Sequence, residues 1–371
     1  MKVPLLDLVA QHETIQADVQ QAVNDVIRRQ GFIMGPENQT LEARIAELSG
    51  TRYGIGCASG TDALLLPLKC LDLQPGDEVI TPSFTFFATA GAIHNAGGTP
   101  VFVDIEVDTF CVDPQSVAAA ITDRTRAIVV VHLYGQMAAM EALLPLARQH
   151  GLVLIEDAAQ SIGARRRIDG EWHAAGSLGK VGTLSFFPTK NLGAWGDGGM
   201  IVTNDEALAT RLRAMRIHGG AREYFHDEVG TNSRLDSLQA AVLLAKLPHL
   251  PGWSAARRSH ARHYTDAFAE SPGVVPPPTD EANEHIFHQY TIRAGRRDAL
   301  REHLNESGIG NKIYYPLALH LQPCFADLGY QRGSLPVTEA AMDEVISVPI
   351  YPEMSNAQLD RVVEVIQGFY A

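Results

Sequence analysis

Three groups of residues have the types and spacing to do chemistry. The first is the stretch Ser185-Phe186-Phe187-Pro188-Thr189-Lys190-Asn191-Leu192-Gly193-Ala194-Trp195-Gly196-Asp197-Gly198-Gly199, which ends one short apolar strand and leads into another, Met200-Ile201-Val202. It puts Lys190 on an irregular loop whose four glycines crowd around Trp195 and Asp197. A backbone that rich in glycine lets a large flat ligand approach closely. A lysine beside such a ligand can form a reversible Schiff base with a carbonyl. Alone, a loop lysine is only a solvated charge, so the rest of the chain must decide.

The second group, Ala58-Ser59-Gly60-Thr61-Asp62-Ala63-Leu64, passes from small residues straight into a helix. The free N–H groups of a helix start, with the hydroxyls of Ser59 and Thr61, make either a phosphate cradle or a simple N-cap. Further on, Phe84, Phe86 and Phe87 follow a strand, either as core or with one ring stacked on a planar ligand. The third group, Glu156-Asp157-Ala158-Ala159-Gln160-Ser161, follows the apolar run Leu152-Val153-Leu154-Ile155. Two carboxylates there cost free energy unless donors or positive charge meet them. They cap the next segment, bind a metal, or hold a protonated pyridine nitrogen, with Asp157 and Gln160 gripping two edges of the ring. A phosphate cradle, an aromatic ring, a carboxylate with an amide, and a lysine are together what pyridoxal 5′-phosphate requires. Lys180 is the rival lysine, but it precedes its strand and so sits at the wrong end of a parallel sheet.

The elements that must position these groups are legible as a rhythm. Apolar strands are expected at 53–57, 78–81, 100–103, 127–132, 152–155, 182–186 and 200–203, most of them separated by helix-length segments such as 61–71, 85–95 and 137–150. Two helical patterns, 13–29 and 38–48, come first. Short, continuously apolar strands alternating with helices predict an α/β protein whose mostly parallel sheet is covered on both faces. Ligands of such sheets lie at the carboxyl ends of the strands, where all three groups fall.

Composition narrows the class of ligand. The chain has 371 residues, 46% of them apolar, and a formal net charge of −13. A chain of this length buries roughly 75% of its unfolded surface and usually forms two domains. The charge is spread without a basic stripe or an acidic tail, so neither nucleic acid nor an anionic membrane is an expected partner. Cys57, Cys70, Cys111 and Cys324 lie far apart, with no zinc spacing and no disulfide framework. A reduced, cytoplasmic protein without a metal is expected. The start, Met1 to Asp7, turns polar too early for a secretory signal, and no apolar run approaches the roughly 20 residues of a membrane span.

The segments Ser59–Leu64, Pro75–Phe86, Ile155–Ser161 and the Lys190 loop resemble, in order and spacing, the DegT/DnrJ/EryC1/StrS family of sugar aminotransferases. The likeness runs from Pro4-Leu5-Leu6-Asp7 to Pro349-Ile350-Tyr351-Pro352. It implies a type I aminotransferase fold: a large domain with a mixed seven-stranded sheet, then a smaller C-terminal α/β domain. The prolines Pro248 and Pro251 with Gly252 put the division between 1–250 and 251–371. By position, the resemblance implies that Lys190 bonds pyridoxal 5′-phosphate covalently and Asp157 holds its ring nitrogen. It further implies that Gln160 bonds the ring hydroxyl, that Phe86 stacks on the ring, and that Gly60, Thr61 and Ser185 hold the phosphate. Asn232 would reach the phosphate bound by the other subunit of a homodimer, although Asn232-Ser233 alone reads equally as the N-cap of a helix over 235–246. Arg234 of the same segment, and Tyr314 and His320 of the returning loop 312–322, are candidate substrate contacts. Tyr314 stands where many relatives have histidine, and Ala318 where many have proline.

The activity implied is transfer of an amino group from glutamate to a ketone on a nucleotide-linked sugar. Relatives that aminate carbon 4 tend to carry histidine soon after the serine of the lysine loop, whereas those that aminate carbon 3 tend to read as this chain does, with Phe187 there. Carbon 3 is therefore expected. The alternatives are a carbon-4 enzyme and a relative that keeps the cofactor for sensing without turning it over. A dehydratase of the same family would have histidine in place of Lys190.

Overall fold

A computed structural model describes residues 1–371 apart from Ala221, Glu223 and Thr279. Its centre is a seven-stranded sheet whose order, by first and last residue, is Tyr53–Cys57, Gly199–Thr203, Val181–Ser185, Val153–Asp157, Thr125–Val131, Glu78–Pro82 and Thr99–Val103. All seven expected strands are in it. Gly199–Thr203 runs antiparallel to both of its neighbours, and the remaining pairings are parallel. Strands such as Thr125–Val131 are buried on both faces because helices cover both, which explains runs of valine and isoleucine rather than polar alternation.

Register sets the working edge. Because Val181–Ser185 and Gly199–Thr203 are antiparallel neighbours, the loop between them turns at the carboxyl end of the parallel strands. Gly199 pairs with Ser185 on one side and with Cys57 on the other. One row therefore brings the residues after Cys57, the serine that ends Val181–Ser185 and the lysine loop together.

The helices differ from expectation mainly at their starts. The first spans Leu8–Arg29 because the Asp7 carboxylate caps the Val9 and Ala10 N–H groups at 3.1 and 2.9 Å. The helix expected from 85 begins at Ala88, since the preceding residues form the irregular aromatic mouth. The Pro248 to Gly252 segment, where the sequence puts the domain division, is helical. A short 3₁₀ turn, Leu247–His249, runs into the helix Leu250–Phe268, whose Pro251 sits in the first turn where no N–H is needed.

A second apolar core gathers Tyr264, Phe268, Tyr290, Ile292, Ile346 and Val362 around a three-stranded antiparallel sheet, Val274–Val275, Tyr290–Ala294 and Val345–Val348. The two cores are interlaced across position 250. Val3 packs in the second core, while Ile286, Ile313 and Ala341 pack in the first. A further small sheet joins the hairpin Arg165–Ile168 and Glu171–Ala174 to Asn283–Glu284. Its strands are only two to four residues long, too short to show in the sequence pattern. Among the described residues, no helix is long and apolar enough to cross a membrane.

Candidate active site

The first part of the site follows from the row just described. Ser59 caps the helix Gly60–Lys69, its hydroxyl accepting from the Asp62 N–H at 3.1 Å. The N–H groups of the first turn point outward beyond it. Gly60 lies against Ser185 so closely that a Cβ on it would meet the Ser185 Cβ at 2.6 Å and its hydroxyl at 2.8 Å. Glycine is required here by close approach, and the result is a helix start, a second hydroxyl and Thr61 around one small seat. The N-cap reading of this motif is seen directly in Ser59, and Gly60, Thr61 and Ser185 form the wall of a seat that leaves the cradle reading open.

The strand Val153–Asp157 delivers two carboxylates to opposite faces. Glu156 is fully buried, with Gly176, Leu178 and Gly179 donating their N–H groups at 2.9, 2.7 and 2.6 Å. His132 adds an Nε2–H at 2.8 Å, its Nδ1 accepting from Ala138. Asp157 turns into a cavity of about 420 Å³ that also takes in Gly60, Thr61, Ser185 and Lys190. It accepts from the Thr89 hydroxyl at 2.9 Å and the Ala159 N–H at 3.2 Å. Burial raises its carboxyl above the usual range, against the Thr89 and Ala159 hydrogen bonds and the charge of Lys190. Gln160 lines the same cavity, accepting from the Tyr134 N–H at 2.9 Å and donating to the Tyr315 hydroxyl at 2.9 Å. Phe86 stands over the opening, 58% exposed.

Lys190 is half-buried, and among the described residues its amine makes no hydrogen bond. Burial pushes its ammonium down to about 8, with the Asp157 charge opposing. Its loop is held from three sides. Asn191 accepts from His288 Nδ1–H at 2.9 Å and donates to the Ile286 carbonyl at 3.3 Å. Lys246 donates to the Gly193 carbonyl at 2.7 Å, and the Trp195 N–H donates to Gln239 at 2.8 Å. The glycines serve the packing of this loop more than the approach of a ligand. A Cβ on Gly193 would lie 2.2 Å from the Pro188 carbonyl oxygen, and one on Gly199 would lie 2.2 Å from that of Ser59.

An amine of lowered basicity, a buried carboxylate with acceptor capacity left, and a seat at a helix start occur together in one cavity. The sequence profile of the DegT/DnrJ/EryC1/StrS aminotransferase family matches residues 13–367. The chain belongs to this family. It is an aminotransferase of the type I fold, and its relatives cover it from end to end. A pleiotropic regulatory protein of Geobacillus stearothermophilus is 52% identical over 100% of this chain and 99% of its own length. The UDP-N-acetyl-3-dehydro-alpha-D-glucosamine 3-aminotransferase of Acidithiobacillus ferrooxidans is 43% identical over 98% and 97%. The crystal structure of S. venezuelae DesV in complex with a ketimine intermediate matches with a TM-score of 0.96 at 43% identity, covering 100% of this chain and 98% of that one.

The family's cofactor, pyridoxal 5′-phosphate, fits the residues present. The seat at the helix start, which would take a phosphate, exists because Gly60 lacks a Cβ, Asp157 retains acceptor capacity beyond Thr89 and Ala159, and the Lys190 amine makes no hydrogen bond among the described residues. The remaining expected site residues are Asn232, Arg234, Tyr314 and His320. Asn232 is exposed and Arg234 half-buried, and neither lines the cavity of its own chain. The neighbouring Ser233 bonds Asp62 at 2.6 Å and the Ala58 N–H at 3.2 Å, tying the segment to the cradle helix. The helix expected from 235 spans Ser237–Lys246, with Asp236 rather than Asn232 before it. Tyr314 lines the cavity.

His320 is the correction. It is 1% exposed and outside the cavity lining, so it is not placed to touch substrate. Its ring is occupied by Ser83 and Glu339, partners that only the folded chain brings within reach. Thr89, His288, Gln289 and Tyr315 line the cavity but were not picked out from the sequence. Thr89 carried a signal, lying three residues after Phe86 and so within one helical turn of it. Tyr315 sits beside the expected Tyr314. His288 and Gln289 are placed by a crossing of chain segments far apart in sequence. Burial first, then the charges of Lys190 and Arg257, hold the His288 imidazole well below its ordinary range, so it is neutral.

Proposed function

We propose that this aminotransferase uses pyridoxal 5′-phosphate to move an amino group from glutamate to the carbon-3 ketone of a nucleotide-linked sugar. The observation that carries the proposal is Lys190, unbonded and pushed down to about 8 by burial, in one cavity with Asp157. At pH 7 about one such amine in ten is neutral, against fewer than about one in a thousand for an ordinary lysine. Asp157, Gln160 and Phe86 would hold the ring, and Gly60, Thr61 and Ser185 the phosphate. When bound, the cofactor supplies an aldehyde that condenses with amines and a conjugated ring that takes up the electron pair left when a C–H bond breaks.

The chain's own residues do the rest. Lys190 Nζ, neutral, takes the proton from the donor's α-carbon and returns it elsewhere, general acid–base work worth about 10²–10⁴-fold. Asp157, kept ionised by a cationic partner, would hold that partner's positive charge in place. Tyr315 and Tyr134 fix Gln160 by opposite ends of its amide. Carbon 3 is supported by Phe187, whose ring lines the cavity next to the lysine loop, where an imidazole would offer a polar group instead.

We further propose a homodimer in which Asn232 and Arg234 serve the partner's site, a cytoplasmic location, and a working division into residues 1–250 and 251–371. The regulatory name of the Geobacillus relative favours one rival reading, cofactor binding without turnover. Assays with glutamate and paired 3-keto and 4-keto sugar nucleotides separate the readings. Preference for the 3-keto compound is expected, preference for the 4-keto compound overturns the regiochemistry, and no turnover of either overturns the substrate class.

A further inference from the structure

Behind the aromatic mouth lies a closed buried network. Ser83, His320 and Glu339 are 0%, 1% and 6% exposed. Glu339 accepts from the N–H groups of Gly333 and Leu335 at 2.8 and 3.2 Å, and His320 Nε2 lies 3.2 Å from it. A carboxylate with three donors around it makes Nε2–H the protonated nitrogen, so Nδ1 accepts the Ser83 hydroxyl proton across 2.7 Å. The same hydroxyl oxygen accepts from the His320 backbone N–H at 3.0 Å, and the Leu319 N–H donates to the Ser83 carbonyl at 3.0 Å. Burial holds the imidazole below its ordinary range, in keeping with a neutral ring.

This network joins two segments that carry cavity residues. Ser83 precedes Thr85 and Phe86, and His320 follows Tyr314 and Tyr315, all four of which line the cavity. Around the joint, Phe84 and Phe86 stand against Tyr315 with ring centroids 6.0 and 6.3 Å apart, and Phe87 stacks on Phe325 at 5.8 Å. Tyr315 in turn holds Gln160. We propose that His320 is a positioning residue: clamped between Ser83 and Glu339, it sets the spacing of the cavity's two aromatic walls and so the place of Gln160. The inference rests on the cofactor-site reading above. A misplacement of about 1 Å in such a wall is enough to cost up to 10²-fold in rate.

The test uses Ser83→Ala, His320→Gln, their double variant, and Val362→Ala, a core lesion in the second core away from the joint. Two readouts are taken: kcat/KM of the loaded enzyme, and amide hydrogen exchange of residues 312–322 in the cofactor-free protein. Each clamp variant is expected to lose about tenfold in kcat/KM, with the double variant no worse than either single, because all break the same joint. Exchange in 312–322 should quicken in all three and stay unchanged in Val362→Ala. Parental kcat/KM and exchange in Ser83→Ala, additive losses in the double variant, or equal effects from Val362→Ala would each overturn the clamp. Should Lys190→Ala retain turnover, the cofactor-site reading fails instead, whatever the exchange data say.

Discussion

Glu156 and Asp157 are neighbours on one strand, and the two faces they enter could hardly be more different. Glu156 meets four donors and no cavity, so its charge is fully solvated by the protein itself. Asp157 meets two donors and an open cavity, which leaves part of its acceptor capacity to a ligand. Two lysines repeat the contrast. Burial pushes both Lys190 and Lys246 down to about 8, yet Lys246 is bonded to the Gly193 carbonyl while Lys190 is bonded to nothing among the described residues. Depressed basicity and burial therefore do not by themselves mark a reactive group. Burial combined with unsatisfied bonding capacity, facing a cavity, does.

The sharpest way to break this comparison is to exchange the lysines' fates. Lys190→Ala is expected to lower turnover by about 10⁴-fold or more while the melting temperature stays within a few degrees of the parent's. Lys246→Met should do the reverse, leaving turnover within a few-fold but costing about 1 kcal/mol of stability through the lost hydrogen bond. Comparable activity losses in the two variants would show that the contrast is empty.

The carboxylate pair gives the next largest effects. Asp157→Asn keeps shape and removes charge, and kcat/KM should fall about 10²–10³-fold with stability unchanged or slightly higher, since a desolvated carboxylate is gone. Glu156→Gln leaves buried N–H groups facing an amide that cannot accept from all of them, and about 2–4 kcal/mol should be missing in denaturant unfolding. Activity per folded molecule should change little. Full stability in Glu156→Gln would contradict its role as a purely architectural carboxylate.

The smallest effect separates the two lysines by pH. An amine attacks aldehydes only when neutral, and a depressed ammonium pKa makes neutrality common at lower pH. In the cofactor-free protein, the rate at which Lys190 bonds an aldehyde should rise about tenfold per pH unit up to about 8 and level off above it. A rise continuing towards 10.5 would mean that Lys190 is solvated like any surface lysine. Lys246, enclosed beside Gly193, should not react in that range at all.

Much of this was legible in the chain itself. The seven strands were read within a residue or two of their limits, because buried parallel strands must be continuously apolar and helices between them must reach back across the sheet. Lys190, Asp157, Gln160 and the Gly60 segment could be found because chemistry-bearing residues at the ends of apolar strands contradict their surroundings. The loop glycines were legible as a need for close approach, but the partner of that approach was misassigned: backbone carbonyls of Pro188 and Ser59, not a flat ligand, are what Gly193 and Gly199 admit. The helical course of Pro248 to Gly252 was not legible for a local reason, since proline is as welcome in a helix's first turn as in a loop.

The sequence by itself determined the alternation of elements, the edge of the sheet where ligands lie, and the kinds of group waiting there, because those depend on local periodicity and on residue type. Only the tertiary structure decided which of those groups were already satisfied. His320 looked available until folding supplied Ser83 from 237 residues away, and Glu156 looked as exposed to need as Asp157 until Gly176, Leu178 and Gly179 closed over it. Hydrogen-bonding capacity is a property of a residue, but whether it has been used up depends on neighbours distant in the chain, and that is settled only by packing.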